Sequence, residues 1–250
     1  MTKPSFISEA DWKCLCEKYK SQRVLEKTVK RIENNYPIQY AIGNVEFYNS
    51  KIIVNKNVLI PRFETELLVE KLIKYIKNFD LEKESVLDLC TGSGCIAISL
   101  KKELKNAKIV GIDKSYSALS VALKNAKLNK VDIDFNRMDV LKNFNIKKKF
   151  SVLVSNPPYV RVDEEVSINT KYEPQMALFP GEDDIIFYKK ILDNAKNILY
   201  EKNIIAFEIG STQAERICKY ASKIYKDAKI IVEQDYNGFD RFIFIFNNCE

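Results

Sequence analysis

Between residues 85 and 246 the sequence alternates between short apolar runs typical of strands and longer amphipathic runs typical of helices. The predicted strands span residues 85–90, 107–113, 132–139, 150–155, 203–210, 228–234 and 241–246, and the predicted helices span residues 95–104, 117–129, 186–199 and 212–225. Such alternation is typical of a parallel sheet that helices cover on both faces. A short turn separates the last two strands, so we expect an antiparallel hairpin at one edge. The predicted fold class is α/β, with a mostly parallel sheet and an antiparallel edge strand.

The residues before this alternation predict two smaller parts. Residues 1–35 form a short N-terminal helical segment, because apolar residues recur at helical spacing after an N-cap candidate, Ser8. Residues 36–62 form a β-hairpin linker, with strands at 45–48 and 52–60 around a turn at Asn49 and Ser50. A helix follows from Thr65, so residues 63–250 are expected to form the main domain.

The composition excludes several classes of chemistry. The chain contains no histidine, which excludes Ser-His-Asp and Cys-His catalysis and histidine-ligated metals. Its six cysteines include no C-x-x-C pair, so we expect reduced thiols and no metal site.

No apolar stretch reaches the length of a membrane span, and the N-terminus lacks the apolar core of a signal peptide. A formal charge of +6 is mild for 250 residues. We therefore expect a cytoplasmic protein with no membrane partner and no stable nucleic-acid partner.

A glycine loop follows the first strand of the alternation. Gly92 and Gly94 bring bare backbone N–H groups to the start of a helix, and Asp113 ends the next strand, 21 residues after Gly92. An acid at this distance can bind a ribose hydroxyl pair. The alternative is a tight turn with a helix-capping aspartate. Together with the alternation, the loop and the acid predict a cofactor of nucleoside type.

The local sequence leaves two cofactor classes open. Residues 92–97 satisfy the loose G-x-G-x-x-A form of dinucleotide sites. However, Asp88 lies inside the strand before the loop, where a carboxylate suits a sulfonium or ammonium cation better than a pyrophosphate. Asp139, at the end of the third strand, could accept a hydrogen bond from an adenine amino group. Each aspartate could instead be a cap or a surface residue.

The fourth strand ends in Asn156-Pro157-Pro158-Tyr159, a stiff turn at the edge where parallel sheets bind ligands. The Asn156 side-chain oxygen and the Pro157 carbonyl could accept the two N–H bonds of a planar NH₂ group, and Tyr159 offers a flat face. The nitrogen lone pair would stay free to attack an electrophile without a histidine base. The alternative is a strand-terminating turn with a packing tyrosine. Because the turn lies at the same edge of the sheet as the glycine loop, it predicts methylation of an amino or amide nitrogen.

With the loop at residues 88–94, this turn resembles those of class I S-adenosylmethionine-dependent amino-methyltransferases. Further blocks resemble the HemK/PrmC family, the protein-glutamine N5-methyltransferases that act on peptide chain release factors. These blocks are V-E-F-Y, V-L-I-P-R-F-E-T-E-L-L-V, Y-E-P-Q-M-A-L, F-E-I-G-S-T-Q-A-E and D-Y-N-G-F-D-R-F-I-F, and they cover about residues 36–246 in order.

The resemblance implies a Rossmann-like class I methyltransferase sheet and a fixed set of roles. S-adenosylmethionine would be the cofactor and S-adenosylhomocysteine its product, without a metal. The substrate would be the glutamine of the Gly-Gly-Gln loop of a release factor. Separately, we expect the protein to be a monomer. The implied cofactor-binding residues are Asp88, Cys90, Thr91, Gly92, Ser93, Gly94, Asp113, Asp139, Val140 and Asn156; the catalytic residues are Asn156, Pro157, Pro158 and Tyr159; and Arg62, Glu64 and Glu66 would lie at the substrate mouth.

The chain departs from the family pattern at several places. Cys90 replaces a glycine of the first loop, Pro180 and Asp184 replace glycines after Y-E-P, and the N-terminal helical segment is truncated. The main alternative is a nucleic-acid methyltransferase acting on adenine N6 or guanine N2, although no target-recognition domain is evident. A non-catalytic cofactor-binding module and a nicotinamide-dependent oxidoreductase are further alternatives.

Overall fold

The computed structural model describes residues 2–81, 84–142, 144 and 146–249. The helices are α1 (Glu9–Lys18), α2 (Gln22–Glu33), α3 (Ile38–Ile42), α4 (Phe63–Asn78), α5 (Cys95–Glu103), α6 (Tyr116–Leu128), α7 (Ile186–Ile198) and α8 (Ala214–Ile224). The strands are β1 (Asn44–Phe47), β2 (Ser50–Ile53), β3 (Ser85–Leu89), β4 (Lys108–Asp113), β5 (Asp134–Arg137), β6 (Phe150–Ser155), β7 (Leu199–Glu208), β8 (Lys229–Gln234) and β9 (Asp240–Asn247). Two 3₁₀ turns, Ile168–Tyr172 and Gln175–Ala177, precede α7. Within these ranges, no helix is long and apolar enough to cross a membrane.

Seven strands form one sheet in the order β5-β4-β3-β6-β7-β9-β8. Neighbours from β5 to β7 are parallel, whereas β9 is antiparallel to both β7 and β8. The predicted α/β class and the antiparallel hairpin at one edge are confirmed. The hairpin folds so that β9 lies against β7 and β8 forms the outer strand. The carboxyl ends of β3, β4 and β6 meet at one edge.

The sheet separates two apolar layers. Alternate side chains of each central strand point to opposite faces, as the pleat requires. Val152 and Val154 pack towards α4, α5 and α6, whereas Leu153 packs towards α7 and α8. These three β6 side chains are completely buried. Burial on both faces explains why the central strands have continuous apolar sequences.

The linker contains a β-hairpin, as predicted, but the predicted second strand is too long. β2 ends at Ile53, so the strand predicted for residues 52–60 does not continue. The turn consists of Tyr48 and Asn49, with φ of 38° and 61°, and not of Asn49 and Ser50. Two positive φ values suit a two-residue hairpin turn. The apolar residues after Ile53 lie in an irregular segment whose side chains pack into the core, among them Val54, Val58 and Ile60.

The N-terminal helical segment contains two helices, α1 and α2. Ser8 caps α1, accepting a hydrogen bond from the backbone N–H of Asp11 at 3.1 Å. A short helix that the sequence analysis missed, α3, follows and ends at Gly43, whose φ is 93°. The three helices share a small apolar cluster that includes Ile7, Leu15, Leu25, Val29 and Ala41. The cluster therefore extends past residue 35, and the domain boundaries stay a prediction.

Asn125 of α6 attaches the hairpin to the main sheet. Its fully buried side chain accepts from the Ile53 N–H at 2.7 Å and donates to the Ile53 carbonyl at 3.0 Å. It also donates to the Ser93 carbonyl at 2.9 Å. One amide thus hydrogen-bonds both the linker and the glycine loop.

Candidate active site

Two cavities meet at Asn156, at the carboxyl edge of the sheet. The first, which we call the glycine-loop cavity, has a volume of about 270 Å³ and lies beside β3 and β4. The second, the Arg62 cavity, has a volume of about 340 Å³ and lies between the linker and residues 166–178. Asn156 lines both cavities. A group bound in one cavity can therefore approach a group bound in the other at this side chain.

The glycine loop turns sharply between β3 and α5. Cys90, Gly92 and Gly94 have φ of 61°, 55° and 81°, which is the left-handed region that favours glycine. Cys90 therefore adopts a glycine-like backbone at the position where the resemblance expects glycine. A Cβ atom on Gly94 would lie 3.1 Å from the Cβ of Ala122, so glycine allows α6 to approach the loop.

Asp113 holds the other side of this loop. Its carboxylate accepts from the Gly92 N–H at 2.9 Å and from the Ser115 N–H at 2.8 Å. Burial raises the pKa of Asp113 above its ordinary value. Cys90, Gly92 and Asp113 all line the glycine-loop cavity, and their contact with a cofactor stays a prediction.

Asp88, by contrast, lies behind the loop and does not line this cavity. It is completely buried and accepts from the Thr91 hydroxyl at 2.5 Å. Burial raises the pKa of Asp88 to about 7. Thr91, Ser93 and Gly94 also lie outside the lining. These four residues shape the loop, and direct contact between them and a cofactor stays a prediction.

The far end of the glycine-loop cavity is formed by Asp139 and Val140. Lys114 pairs with Asp139 at 3.0 Å, and the Leu141 N–H donates to the same carboxylate at 3.1 Å. Burial alone would raise the pKa of Asp139, but these bonds outweigh it and lower the pKa. The remaining lining is largely apolar and includes Met138, Met176, Phe179 and Phe187. Carboxylates at two points along an apolar wall fit the ribose and adenine of a nucleoside cofactor.

The turn after β6 carries two acceptors, one on Asn156 beside both cavities and one on Pro157 beside the Arg62 cavity. Asn156 Nδ2 donates to the Thr65 hydroxyl at 3.1 Å, which directs Oδ1 away from Thr65. In the part of the chain that the structure describes, neither Asn156 Oδ1 nor the Pro157 carbonyl accepts a hydrogen bond. Pro157 and Tyr159 line the Arg62 cavity, and Pro158 lines the glycine-loop cavity. The four predicted catalytic residues are therefore distributed around the junction.

A buried carboxylate that the sequence analysis missed supports this turn. Glu208, at the end of β7, accepts from the Thr65 hydroxyl at 2.7 Å and from the Tyr159 hydroxyl at 3.3 Å. The Glu208 residue is 1% exposed, and burial raises its pKa to about 7. A signal was available in the sequence: Glu208 is the single charged residue in residues 203–210, an otherwise apolar run with one other polar residue, Asn203.

An ion pair forms one wall of the Arg62 cavity. Arg62 donates to Glu173 at 2.5 Å, and the Ile60 N–H donates to the other oxygen of Glu173 at 2.9 Å. Of the predicted mouth residues, Arg62 lines the cavity, whereas Glu64 and Glu66 lie in the first turn of α4 outside its lining. Among the described residues, no group of three or more Cys, Asp or Glu side chains is arranged to hold a metal.

Comparisons with known proteins find methyltransferases. The model of the methyltransferase small domain matches residues 63–172. The chain is 40% identical to a release factor glutamine methyltransferase of Flavobacterium psychrophilum, over 87% of this chain and 78% of that protein. It is 38% identical to the release factor glutamine methyltransferase of Thermodesulfovibrio yellowstonii, over 88% of this chain and 80% of that protein. A solved 16S rRNA N2 methyltransferase of T. thermophilus shares the fold, with a TM-score of 0.60, 14% identity, and coverage of 82% of this chain and 50% of that one.

Proposed function

Because the chain belongs to the release factor glutamine methyltransferase family, we propose that it methylates N5 of the glutamine in the Gly-Gly-Gln loop of a peptide chain release factor. One observation carries the proposal. Asn156 Oδ1 and the Pro157 carbonyl have no hydrogen-bond partner among the described residues; Asn156 lines both cavities and Pro157 lines the Arg62 cavity. Two adjacent acceptors suit the two N–H bonds of a primary amide.

S-adenosylmethionine, when bound, supplies a methyl group on a positively charged sulfur. The glycine-loop cavity is its proposed site, with Asp113 at the ribose, Asp139 and Val140 beside the adenine, and the loop backbone at the methionine part. The T. thermophilus enzyme of the same fold forms a complex with AdoMet and guanosine, which supports S-adenosylmethionine as the cofactor.

The glutamine side chain would enter through the Arg62 cavity. Asn156 Oδ1 and the Pro157 carbonyl would accept its two N–H bonds, while the ring of Tyr159 lies against the amide plane. With the amide held in this way, its nitrogen would be placed to form a bond to the methyl carbon as the carbon–sulfur bond breaks, and one N–H proton would be lost to water. Positive charge develops on the nitrogen during this step, so both acceptors bind the transition state more strongly than the ground state.

Methylation of an intact release factor tests the proposal. The enzyme is incubated with methyl-labelled S-adenosylmethionine and either a release factor or RNA, and the products are mapped by mass spectrometry. We expect one methyl group on the loop glutamine and none on a release factor in which that glutamine is replaced by alanine. Labelled RNA with an unmodified glutamine would contradict the proposal and favour the nucleic-acid alternative.

The same proposal carries expectations about the partner. We expect slower methylation of the isolated loop peptide than of the whole release factor, because contacts remote from the glutamine contribute to the rate. We also expect a monomeric enzyme in the cytoplasm, where release factors act.

A further inference from the structure

We propose that Glu208 and Thr65 form a positioning relay that fixes which end of the Asn156 amide faces the substrate. This inference rests on the proposed function for its catalytic consequence, but the relay itself is a property of the three side chains. An asparagine amide has a donor end and an acceptor end of nearly the same shape. The clamp works when the acceptor end, Oδ1, faces the substrate NH₂, so something must hold the amide in that orientation.

The direction of the hydrogen bonds settles the orientation. A threonine hydroxyl has a single proton to donate. The Thr65 hydroxyl oxygen lies 2.7 Å from Glu208 Oε2. Because an ionised carboxylate can only accept a hydrogen bond, the hydroxyl proton of Thr65 points to Glu208. The Thr65 oxygen must then accept at its other contact, which is Asn156 Nδ2 at 3.1 Å. While Glu208 is ionised, Nδ2 is therefore held on Thr65, and Oδ1 is the amide atom left to accept from a substrate.

Burial keeps solvent away from the hydrogen bonds of this relay. Thr65 is 3% exposed and Glu208 is 1% exposed, so solvent cannot easily replace either partner. The second oxygen of Glu208 accepts from the Tyr159 hydroxyl at 3.3 Å. One carboxylate at the end of β7 thus orients both polar side chains of the Asn156–Tyr159 turn. Glu208 itself lines the Arg62 cavity but binds the turn through its side-chain oxygens.

Protonation of Glu208 would reverse the relay. Among the described residues, the groups that face Glu208 are Thr65 and Glu64 from α4, Cys95 from α5, Tyr159 from the turn and Arg241 from β9, while Tyr188 of α7 donates to its backbone carbonyl. Burial, with a smaller contribution from Glu64, raises the pKa of Glu208 to about 7, against the lowering effects of Thr65, Arg241 and Tyr159. A protonated carboxyl can donate to Thr65, whose proton would then point to Asn156 and favour an amide turned with Nδ2 towards the substrate. Turnover should therefore fall as the pH drops below about 7.

The test compares Thr65→Val, which keeps the shape and removes the hydroxyl, with Thr65→Ser, which keeps the hydroxyl. We expect Thr65→Val to lower kcat roughly 10- to 100-fold, the effect of a misplaced catalytic group, with little change in cofactor Kd or release-factor KM. Thr65→Ser should recover most of that loss. Thr28→Val is the matched control, because Thr28 is also a buried helical threonine, but its hydroxyl donates to Val24 of its own helix.

The pH profile separates a relay from a purely structural contact. Between pH 6 and pH 8, wild-type kcat at saturating cofactor should rise with pH, and Glu208→Gln, which cannot ionise, should show no such rise. The side-chain ¹⁵N resonance of Asn156 should move with pH in the wild type and stay still in Thr65→Val. This last measurement needs no substrate.

The outcomes are distinct. A wild-type enzyme that leaves release factors unmethylated would refute the proposed function, while the Asn156 resonance would still test the relay. Near wild-type kcat in a folded Thr65→Val variant would overturn the relay alone. A Glu208→Gln variant with the same pH profile as the wild type would also overturn the relay. If Thr65→Val fails to fold, this pH profile is the measurement that tests the relay.

Discussion

The carboxylate of Asp113 accepts a hydrogen bond from the Gly92 N–H at 2.9 Å, across the 21 residues that separate the two positions. Parallel pairing of β3 with β4 brings the strand ends together. Asp113 therefore has two tasks, since it holds the loop and lines the cavity proposed for the cofactor.

We expect Asp113→Ala to weaken S-adenosylmethionine binding by about 1–3 kcal/mol, because a charge-assisted hydrogen bond to the cofactor is lost. Asp113→Asn, which keeps one acceptor oxygen, should lose less. Isothermal titration calorimetry measures both, with Asp132→Ala, an exposed site before β5, as the control. Binding of NAD in place of S-adenosylmethionine would contradict the proposed cofactor.

We expect Asn156→Ala to reduce methyl transfer by about 10²-fold or more, by analogy with the loss of one preorganised hydrogen-bond partner. Cofactor affinity should change much less, although Asn156 lines both cavities. Single-turnover kinetics with whole release factor gives the rate, and Asn237→Ala in the exposed turn before β9 is the control. Near wild-type turnover would show that Asn156 does not hold the amide.

The ion pair between Arg62 and Glu173 should stabilise the wall of the Arg62 cavity. Glu173 is 4% exposed, so Arg62→Met leaves a buried carboxylate whose remaining partner, among the described residues, is the Ile60 N–H. We expect the free energy of unfolding to fall by roughly 1–3 kcal/mol. Urea denaturation measures this, and Arg62→Met combined with Glu173→Gln should recover part of the loss. An unchanged midpoint would mean that solvent already satisfies Glu173.

Cys90 should tolerate glycine and reject valine, because its φ of 61° is unfavourable for any Cβ and most of all for a β-branched side chain. We expect Cys90→Val to be less stable than Cys90→Gly by about 2 kcal/mol. Cys218, inside α8, is the control, since there glycine should be the less stable of the two. Equal stability of the two Cys90 variants in urea denaturation would argue that the loop relaxes.

Removal of residues 1–35 should raise the KM for release factor more than the Kd for S-adenosylmethionine. This segment contacts the 3₁₀ turn that borders the Arg62 cavity, where the Tyr172 hydroxyl donates to the Asn34 carbonyl at 3.3 Å. Steady-state kinetics and calorimetry on the shortened chain give the two constants, and circular dichroism checks the fold. A loss confined to cofactor binding would contradict this role.

Most of the sheet could be predicted because parallel strands with both faces buried leave a simple signal of continuous apolar runs. The linker misled the same reasoning, since Val54, Val58 and Ile60 are spaced like strand residues yet pack against the core without a neighbouring strand. The five-residue helix α3 is too short for a periodic pattern to be recognised.

The acceptor pair at Asn156 and Pro157 could be predicted because it lies within four consecutive residues at a strand end. The partnership of Thr65 with Glu208 could not, because 143 residues separate them and the fold alone brings them together. The sequence shows that a charged residue interrupts an apolar strand, but it does not show which hydroxyl that residue binds.

The contacts of Asn125 impose an order on assembly. Ile53 leaves the ribosome before Asn125, by 72 residues, so the hairpin is made long before the side chain that satisfies its edge. A two-stranded hairpin alone is marginally stable in water. We therefore expect the nascent hairpin to become stably ordered only after α6 has docked against it, rather than when its own two strands are complete.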